Sequence, residues 1–423
     1  MNYIALTIGP IYKTLVNAKK PKELFSSSYI FSYIMKNIIY RFKDREFVIP
    51  YIKDSTIFED KDIGLFHDRF IFVSQSGDLK RLDSVIDEVL NDIAKNLNLS
   101  LDSIKDYLQI HYFEKSLDDS MNPILELTPY LDTQELLFQT SQDMSFAETL
   151  RRKKGDKDNF LTEGKGIVDD LKQLSYHNYY CIIHADGDKM GEMIQSKDSI
   201  QDVSKALFEY CINSNELIKK FGGQTIFAGG DDLLFFAPVI GRDKTTIFNL
   251  CEDISNDFKS KVGGVATLSF GITINYVKFP LYEAVENSRT QLFAKAKNDK
   301  RNNIAFQVTK HSGQSFEAIV HKGDREIYKR FLAFVSQIDS ESQDKNFLHS
   351  IHHKIDRYKI VIDSIKNDRD KLQNFFDNYF NEYGHSEYEE FFETLVDFIY
   401  HTQDLELVYA TLRFIKFVKG DKQ

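Results

Sequence analysis

Residues 178–308 alternate between two apolar periods in an order that few folds accommodate. A run rich in β-branched and aromatic residues, Tyr179-Tyr180-Cys181-Ile182-Ile183, predicts a strand over 179–185. Val203, Leu207, Cys211 and Ile218 then share one face of a helix near 200–220. Thr225-Ile226-Phe227-Ala228 and Leu233-Leu234-Phe235-Phe236 flank a Gly-Gly-Asp-Asp turn and predict a hairpin over 224–237. A second helix near 244–260 carries Ile247, Leu250, Cys251, Ile254 and Phe258 inward, and a strand over 266–276 follows. A helix over 281–297 and a strand at 303–308 complete the stretch. The order β-α-β-β-α-β is the ferredoxin-like arrangement, in which the first strand lies beside the central hairpin.

That adjacency gives two acidic segments a common destination. His184-Ala185-Asp186-Gly187-Asp188 ends the first strand, and Gly229-Gly230-Asp231-Asp232 turns the hairpin. Asp186 is therefore expected to meet Asp231 or Asp232. Magnesium takes hard oxygen ligands, usually one or two carboxylates, and lets substrate phosphates complete its octahedron. A pair of such ions stabilises both the attacking and the leaving oxygen of a nucleotidyl transfer. Asp186, Asp231 and Asp232 are accordingly the expected catalytic residues and ligands of Mg2+ or Mn2+. Gly187, Gly229 and Gly230 admit a close phosphate approach because no Cβ intervenes, and the Gly187 carbonyl is a candidate further ligand.

Several neighbours carry less specific signals. Asp188 reads either as a carboxylate supporting the metal ligands from behind or, preferably, as an acidic N-cap of the following helix, and His184 is expected to pack rather than to ligate. Lys295 and Lys297, extended by Lys300 and Arg301, lie where a cation reaches a triphosphate, although lysines at a helix C-terminus also compensate its dipole. Lys295 is assigned to nucleotide binding. His67-Asp68 is read as structural, because a metal phosphohydrolase needs more ligands than His111, His352 and His353 evidently supply.

A chain of 423 residues predicts two or three domains. Residues 1–100 read as an α+β unit, with strands at 3–8 and 70–73, a helix over 26–42, and a second helix through Val85, Val89, Ile93 and Leu97. Residues 101–150 read as mostly helical, and the charged run over 151–159 as an exposed loop or linker. From about residue 324 three apolar stripes predict four or five C-terminal helices. A net charge of -10 argues against a free-standing nucleic-acid binder, but suits one subunit of an assembly in which other chains hold nucleic acid. Cys181, Cys211 and Cys251 form no C-x-x-C motif, so no zinc site and reduced cysteines are expected. The N-terminus has no basic region followed by a long apolar stretch, which points to a cytoplasmic protein with no membrane span.

These residues together resemble the large subunit of type III CRISPR RNA-guided effector complexes, in its Cmr (type III-B) branch. Leu6-Thr7-Ile8-Gly9-Pro10-Ile11, Ala18-Lys19-Lys20, Leu24 and Ser27-Ser28-Tyr29-Ile30 are similar to the opening of that family's first palm domain. His184–Gly191 and Phe227–Asp232 look like the two signatures of its second palm, and Leu268–Ile272 and Ala294-Lys295 match later palm segments. The resemblance implies an α+β protein with two ferredoxin-like palm domains, of the polymerase and nucleotide-cyclase kind, with helical inserts and an all-α C-terminal domain. The implied divisions are a first palm without a metal site at 1–104, a mostly helical insert and charged linker at 105–176, the Gly-Gly-Asp-Asp palm at 177–310, and a helical domain at 311–423. It implies nucleotide contacts at Ser27 and Ser28, ATP as substrate, and synthesis of a nucleotide second messenger in antiviral defence. The messenger would be a cyclic oligoadenylate or, with S-adenosylmethionine as co-substrate, an AMP conjugate. Other Cmr-type subunits, guide CRISPR RNA and target RNA are the implied partners. The family's N-terminal His-Asp nuclease domain is expected to be absent, because the first palm signature begins at residue 3. A stand-alone diguanylate-type cyclase is the competing enzyme, disfavoured because Leu233 follows Asp232 where that family reads Gly-Gly-Asp-Glu-Phe. A catalytically silent scaffold is the non-enzymatic competitor.

Overall fold

A computed structural model describes residues 1–16, 18–137, 141, 143–151, 160–195, 199–298, 300–336, 345–380 and 388–420. All but Arg151 of the charged run at 151–159 lies outside the described residues.

The N-terminal unit runs β1 (Asn2–Gly9), α1 (Ile11–Leu15), α2 (Pro21–Arg41), β2 (Phe47–Ile49), β3 (Arg69–Val73), α3 (Asp78–Leu97), α4 (Leu101–Tyr107) and β4 (Gln109–Ser116). Its sheet has the order β2-β3-β1-β4, the ferredoxin-like order. α2 starts on Pro21, whose missing N–H costs nothing in a first turn. α3 ends where Asn98 takes a left-handed conformation (φ 54). β1 is buried on both faces, so its apolar residues run without alternation. Ile4, Leu6 and Ile8 join the main core with Leu24, Ile34 and Val89. Tyr3 and Ala5 pack on the other face beneath Leu127 and Leu131, from α5 (Pro123–Glu135). The short α6 (Ser145–Leu150) follows.

β4 departs from the helical expectation for 101–150, and the sheet it completes extends past the expected boundary at 104. It is an edge strand pairing residue for residue with β1, Asn2↔Ser116 to Gly9↔Gln109. Its side chains are half-buried or exposed throughout, so no period-two signal survives in its sequence. The partner that makes it a strand lies some hundred residues away.

The second unit runs β5 (Tyr179–Asp188), α7 (Met190–Met193), α8 (Ile200–Phe221), β6 (Gln224–Gly229), β7 (Asp232–Pro238), α9 (Ile247–Val262), β8 (Thr267–Tyr276), α10 (Leu281–Thr290), β9 (Asn303–Thr309) and β10 (Ser315–His321). The sheet order β10-β9-β8-β5-β7-β6 contains the ferredoxin-like order β8-β5-β7-β6, widened by β9 parallel to β8 and β10 antiparallel to β9. β10 carries this sheet beyond the expected boundary at 310. The expected helix over 281–297 changes character at Thr290, where a π-helical turn spans Gln291–Ala296. Gly271 lies beneath that turn: a Cβ there would come 2.3 Å from the Leu292 backbone nitrogen, so only glycine lets β8 approach so closely.

Among the described residues six helices follow, against the expected four or five: α11 (Arg325–Ser336), α12 (Lys345–Arg357), α13 (Lys359–Ile365), α14 (Arg369–Tyr379), α15 (Glu389–Thr402) and α16 (Leu405–Gly420). They dock on the second unit through Phe248, whose ring lies 5.0 Å from both Phe331 and Phe414. The two α+β units also touch directly. Gln201 Nε2 donates to the Phe47 and Val48 carbonyls at 2.8 and 2.7 Å, the Tyr51 N–H to Ser204 Oγ, and the Ala228 N–H to the Gly64 carbonyl. All three cysteines are buried and unpaired. Among the described residues no helix is long and apolar enough to cross a membrane.

Candidate active site

β5 extends three residues past its expected end, so Asp186, Gly187 and Asp188 lie on the strand rather than in a turn. They pair with Ser269, Leu268 and Thr267 of β8. On the other side of β5, Ala185 pairs with Leu233 of β7, which sets Asp232 level with the Asp186 end. Gly229 pairs with Asp232, leaving Gly230 and Asp231 as a two-residue turn. Gly230 has φ 65, a conformation glycine adopts freely.

This geometry seats Asp231 on Gly187. The Gly187 N–H holds the Asp231 carboxylate, and a Cβ on Gly187 would lie 2.5 Å from Asp231 Oδ2. Asp186 is the next residue on the strand. Its carboxylate receives the Lys297 ammonium, which also donates to the Gly187 carbonyl at 2.9 Å. Asp188 is not a helix cap. It is fully buried and accepts from Thr267 Oγ1 at 2.9 Å, from Ser269 Oγ at 2.8 Å and from the Asn302 N–H at 3.0 Å. The helix after it starts at Met190, with Lys189 at the N-cap and no side-chain cap. Strand pairing overrides the local capping signal, because the hydroxyls that satisfy Asp188 come from β8.

A cavity of about 260 Å³ opens between the two α+β units. The first unit contributes Tyr12, Ser28, Phe31, Phe66 and Asp68; the second contributes His184, Phe227, Asp232, Arg289 and Phe293. Asp232 opens onto this cleft, yet the surrounding protein, and then the Asp231 and Asp68 carboxylates, push its pKa well up. Burial likewise raises Asp231, against the pull of Gly187 and His67. Lys297 is lowered to about 8 by burial and by Arg301.

The expected site residues separate in three dimensions. Asp186, Gly187, Asp231 and Asp232 come together around Gly230, while Gly229 faces Phe227, whose Cζ would be 2.5 Å from a Cβ there. Ser28 lines the cavity, whereas Ser27 does not; its hydroxyl is fully buried with no hydrogen-bond partner. Lys295 is turned away and pairs with Glu317 of β10 at 2.5 Å. Lys297 is the cation on the carboxylates, since residues two apart on a helix point to opposite sides. His184 packs as expected, its Nδ1 2.7 Å from Ser288 Oγ; burial, with Arg289, lowers it to about 4.

His67 and Asp68, expected from the sequence to be structural, also lie at this site. The His67 ring lies against the Gly230 turn, where a Cβ would be 2.1 Å from Cε1. Asp68 immediately precedes Arg69, which pairs with Thr7 of β1, as Asp232 immediately precedes Leu233 on β7. The two ferredoxin-like units therefore place an aspartate at the same step of the third strand, and both face one cavity. The available signal was an acid before the apolar run 70–73, matching the acid before 233–236. Burial raises Asp68 to about 6, with Glu135 adding to the rise and Arg69 opposing it.

Among the described residues no group of three or more His, Cys, Asp or Glu side chains forms a metal-ligating cluster. The donor set is two carboxylates, Asp186 and Asp231, flanking a backbone carbonyl that already accepts an ammonium. It fits magnesium, which needs only one or two carboxylates when phosphates complete the shell.

Residues 179–305 match the family described as Cas10/Cmr2, second palm domain. Residues 3–105 match CRISPR-associated protein Cmr2, N-terminal. The CRISPR system Cmr subunit Cmr2 of Pyrococcus furiosus is 25% identical over 271 residues, which cover 55% of this chain and 30% of that relative. Among solved structures, the Csm1-Csm4 cassette in complex with cA4 aligns over 99% of this chain and 69% of its own, with TM-score 0.56 and 14% identity. The same cassette with one ATP covers 96% and 70% at TM-score 0.53 and 14% identity. With pppApA it covers 84% and 62% at TM-score 0.52 and 13% identity. At these identities the likeness is one of fold.

Proposed function

Because the chain belongs to the Cas10/Cmr2 family, as a Cmr-type large subunit, we propose that it makes a nucleotide second messenger from ATP within a type III-B CRISPR effector complex. The observation that carries this reading is the seating of Asp231 on Gly187 beside Asp186, with the next residue, Asp232, lining the cavity between the palms. The similar solved structures are complexes with cA4, pppApA and ATP, which supports adenylates as the chemistry.

Asp186 and Asp231, with the Gly187 carbonyl, would hold Mg2+ or Mn2+. The ion, when bound, neutralises the triphosphate and favours ionisation of an attacking hydroxyl. Lys297 moves from Asp186 onto phosphate oxygens and offsets charge on the departing pyrophosphate. Asp232, with its raised proton affinity, takes the proton of the 3′-hydroxyl that attacks the α-phosphorus. Phe31, Phe66, Phe227 and Phe293 offer apolar walls for adenine. Asp68 brings a charge from the first palm, so two substrates meeting between the palms face different surroundings. The product is a cyclic oligoadenylate or an AMP conjugate of S-adenosylmethionine. Sibling Cmr-type subunits, guide RNA and target RNA complete the assembly in the cytoplasm, and the net charge of -10 fits RNA held largely by the partner chains.

The test uses this chain assembled with its sibling subunits and guide RNA. Labelled ATP and magnesium are supplied with and without target RNA and S-adenosylmethionine, beside an Asp231→Ala/Asp232→Ala chain. Target-dependent product that disappears in the variant is the expected result, and its mass names the messenger. A complex that binds target RNA yet yields no product under any condition would leave the silent scaffold as the reading.

A further inference from the structure

His184 stands on β5 between β7 and β8 and lines the cavity between the palms. Its Nδ1 lies 2.7 Å from Ser288 Oγ. Ser288 is fully buried, and its hydroxyl donates to the Val285 carbonyl at 2.7 Å. A hydroxyl has one proton, so Ser288 accepts from His184, and Nδ1 carries the single proton of the neutral ring. Nε2 is thereby left as a lone pair, an acceptor.

That lone pair is open to the cavity. Among the described residues Nε2 has no hydrogen-bond partner, since the one bond of this ring is made by Nδ1. It is not among the enclosed polar atoms that lack a partner, so it keeps accessible surface, and the cavity is the space that His184 borders. Leu234, its pairing partner on β7, and Phe227 and Leu292 line the same cavity. An acceptor set among apolar side chains selects a ligand that offers an N–H at that point.

Position along the strand says which part of the ligand this is. Asp186 follows two residues later on β5, on the same face and about 7 Å away. A triphosphate at Asp186 leaves the base as the part of a nucleotide that turns toward His184. Adenine and guanine differ at position 6, an amino donor in the first and a carbonyl acceptor in the second. The Nε2 lone pair accepts from the amino group and repels the carbonyl oxygen.

We propose that His184 is a specificity-determining residue, whose Nε2 accepts a hydrogen bond from the 6-amino group of the adenine held against the second palm and so turns guanine away. The assignment rests on ATP being the substrate of the cleft.

The experiment is equilibrium binding of 3′-deoxynucleoside triphosphates, which lack the attacking hydroxyl and are not turned over. They are titrated with magnesium into the complex of this chain with its sibling subunits, guide RNA and target RNA. 3′-Deoxy-ATP is expected to bind at least about tenfold more tightly than 3′-deoxy-GTP. The same margin is expected over the 3′-deoxy triphosphate of purine riboside, which has only hydrogen at position 6. His184→Asn keeps an amide N–H for Ser288 but ends short of the Nε2 position, and is expected to lose the preference. His184→Gln reaches that position and is expected to recover part of it. Two results would overturn the assignment and leave ATP as the substrate: a preference for adenine that survives His184→Asn, or a wild-type complex that binds the purine riboside analogue as well as 3′-deoxy-ATP. Failure of all three triphosphates to bind would overturn the ATP reading itself, and the assignment with it.

Discussion

At the scale of single residues the site depends on what is missing from Gly187. A methyl group there would lie 2.5 Å from Asp231 Oδ2 and 2.7 Å from its Cβ, so Gly187→Ala must displace the carboxylate. Messenger synthesis by the assembled complex is expected to fall by about 100-fold or more, since misplacing a positioned group by ~1 Å has that effect. The control is Gly191→Ala, where nothing lies within 4 Å; it should keep its activity. Asp68 makes a second prediction, read by stability. The folded chain holds the Asp68 proton up to about pH 6, while an unfolded chain releases it near its ordinary value. The unfolded state thus binds fewer protons across that window, and stability falls as the pH rises from about 4 to about 6, then levels. Asp68→Asn should be more stable than wild type at pH 7 by up to ~3 kcal/mol, less whatever cavity water screens. That advantage should shrink toward pH 4, and urea unfolding of the two chains across pH 4–7.5 measures it.

At the scale of elements, the length of β5 decides the chemistry. Three further residues of pairing with β8 turn a loop acid into a buried strand carboxylate. Ser269 and Thr267 answer it with hydroxyls, and the Asn302 N–H adds a third donor. Removing one donor leaves buried charge poorly solvated, so Ser269→Ala should destabilise the chain by about 1–3 kcal/mol. The midpoint of urea denaturation reads this, and Ser269→Thr should recover part of it. Helical spacing acts on function in a similar way. Lys297 reaches Asp186 and Lys295 reaches Glu317, because residues two apart on a helix point to opposite sides.

At the scale of the whole molecule, the two palms share one continuous core that also takes in the C-terminal helices. Direct links between them include Gln201 reaching two carbonyls of β2 and Gly64 accepting from β6. Gln201→Ala should lower stability by about 1–2 kcal/mol, the scale of two hydrogen bonds. Both palms should still unfold in one transition. Hydrogen exchange resolved by peptide would show it: β2 and β6 should lose protection together, whereas independent palms would not.

The β-α-β-β-α-β order, the palm that bears the Gly-Gly-Asp-Asp turn and the helical C-terminus were all legible in the sequence. Each follows from apolar periodicity or from a turn that only glycine permits, and such signals are local. Tertiary structure decided the rest. β4 became a strand because β1 offered an edge, and Asp188 became a buried carboxylate because β8 supplied hydroxyls. Lys297 rather than Lys295 reached the acids because Asp186 lies on its side of the helix and Glu317 on the other. His67 and Asp68 joined the cleft because two units of the same topology face each other across it. In each case the deciding partner is tens of residues or more away along the chain, and no window of sequence contains both halves of the interaction.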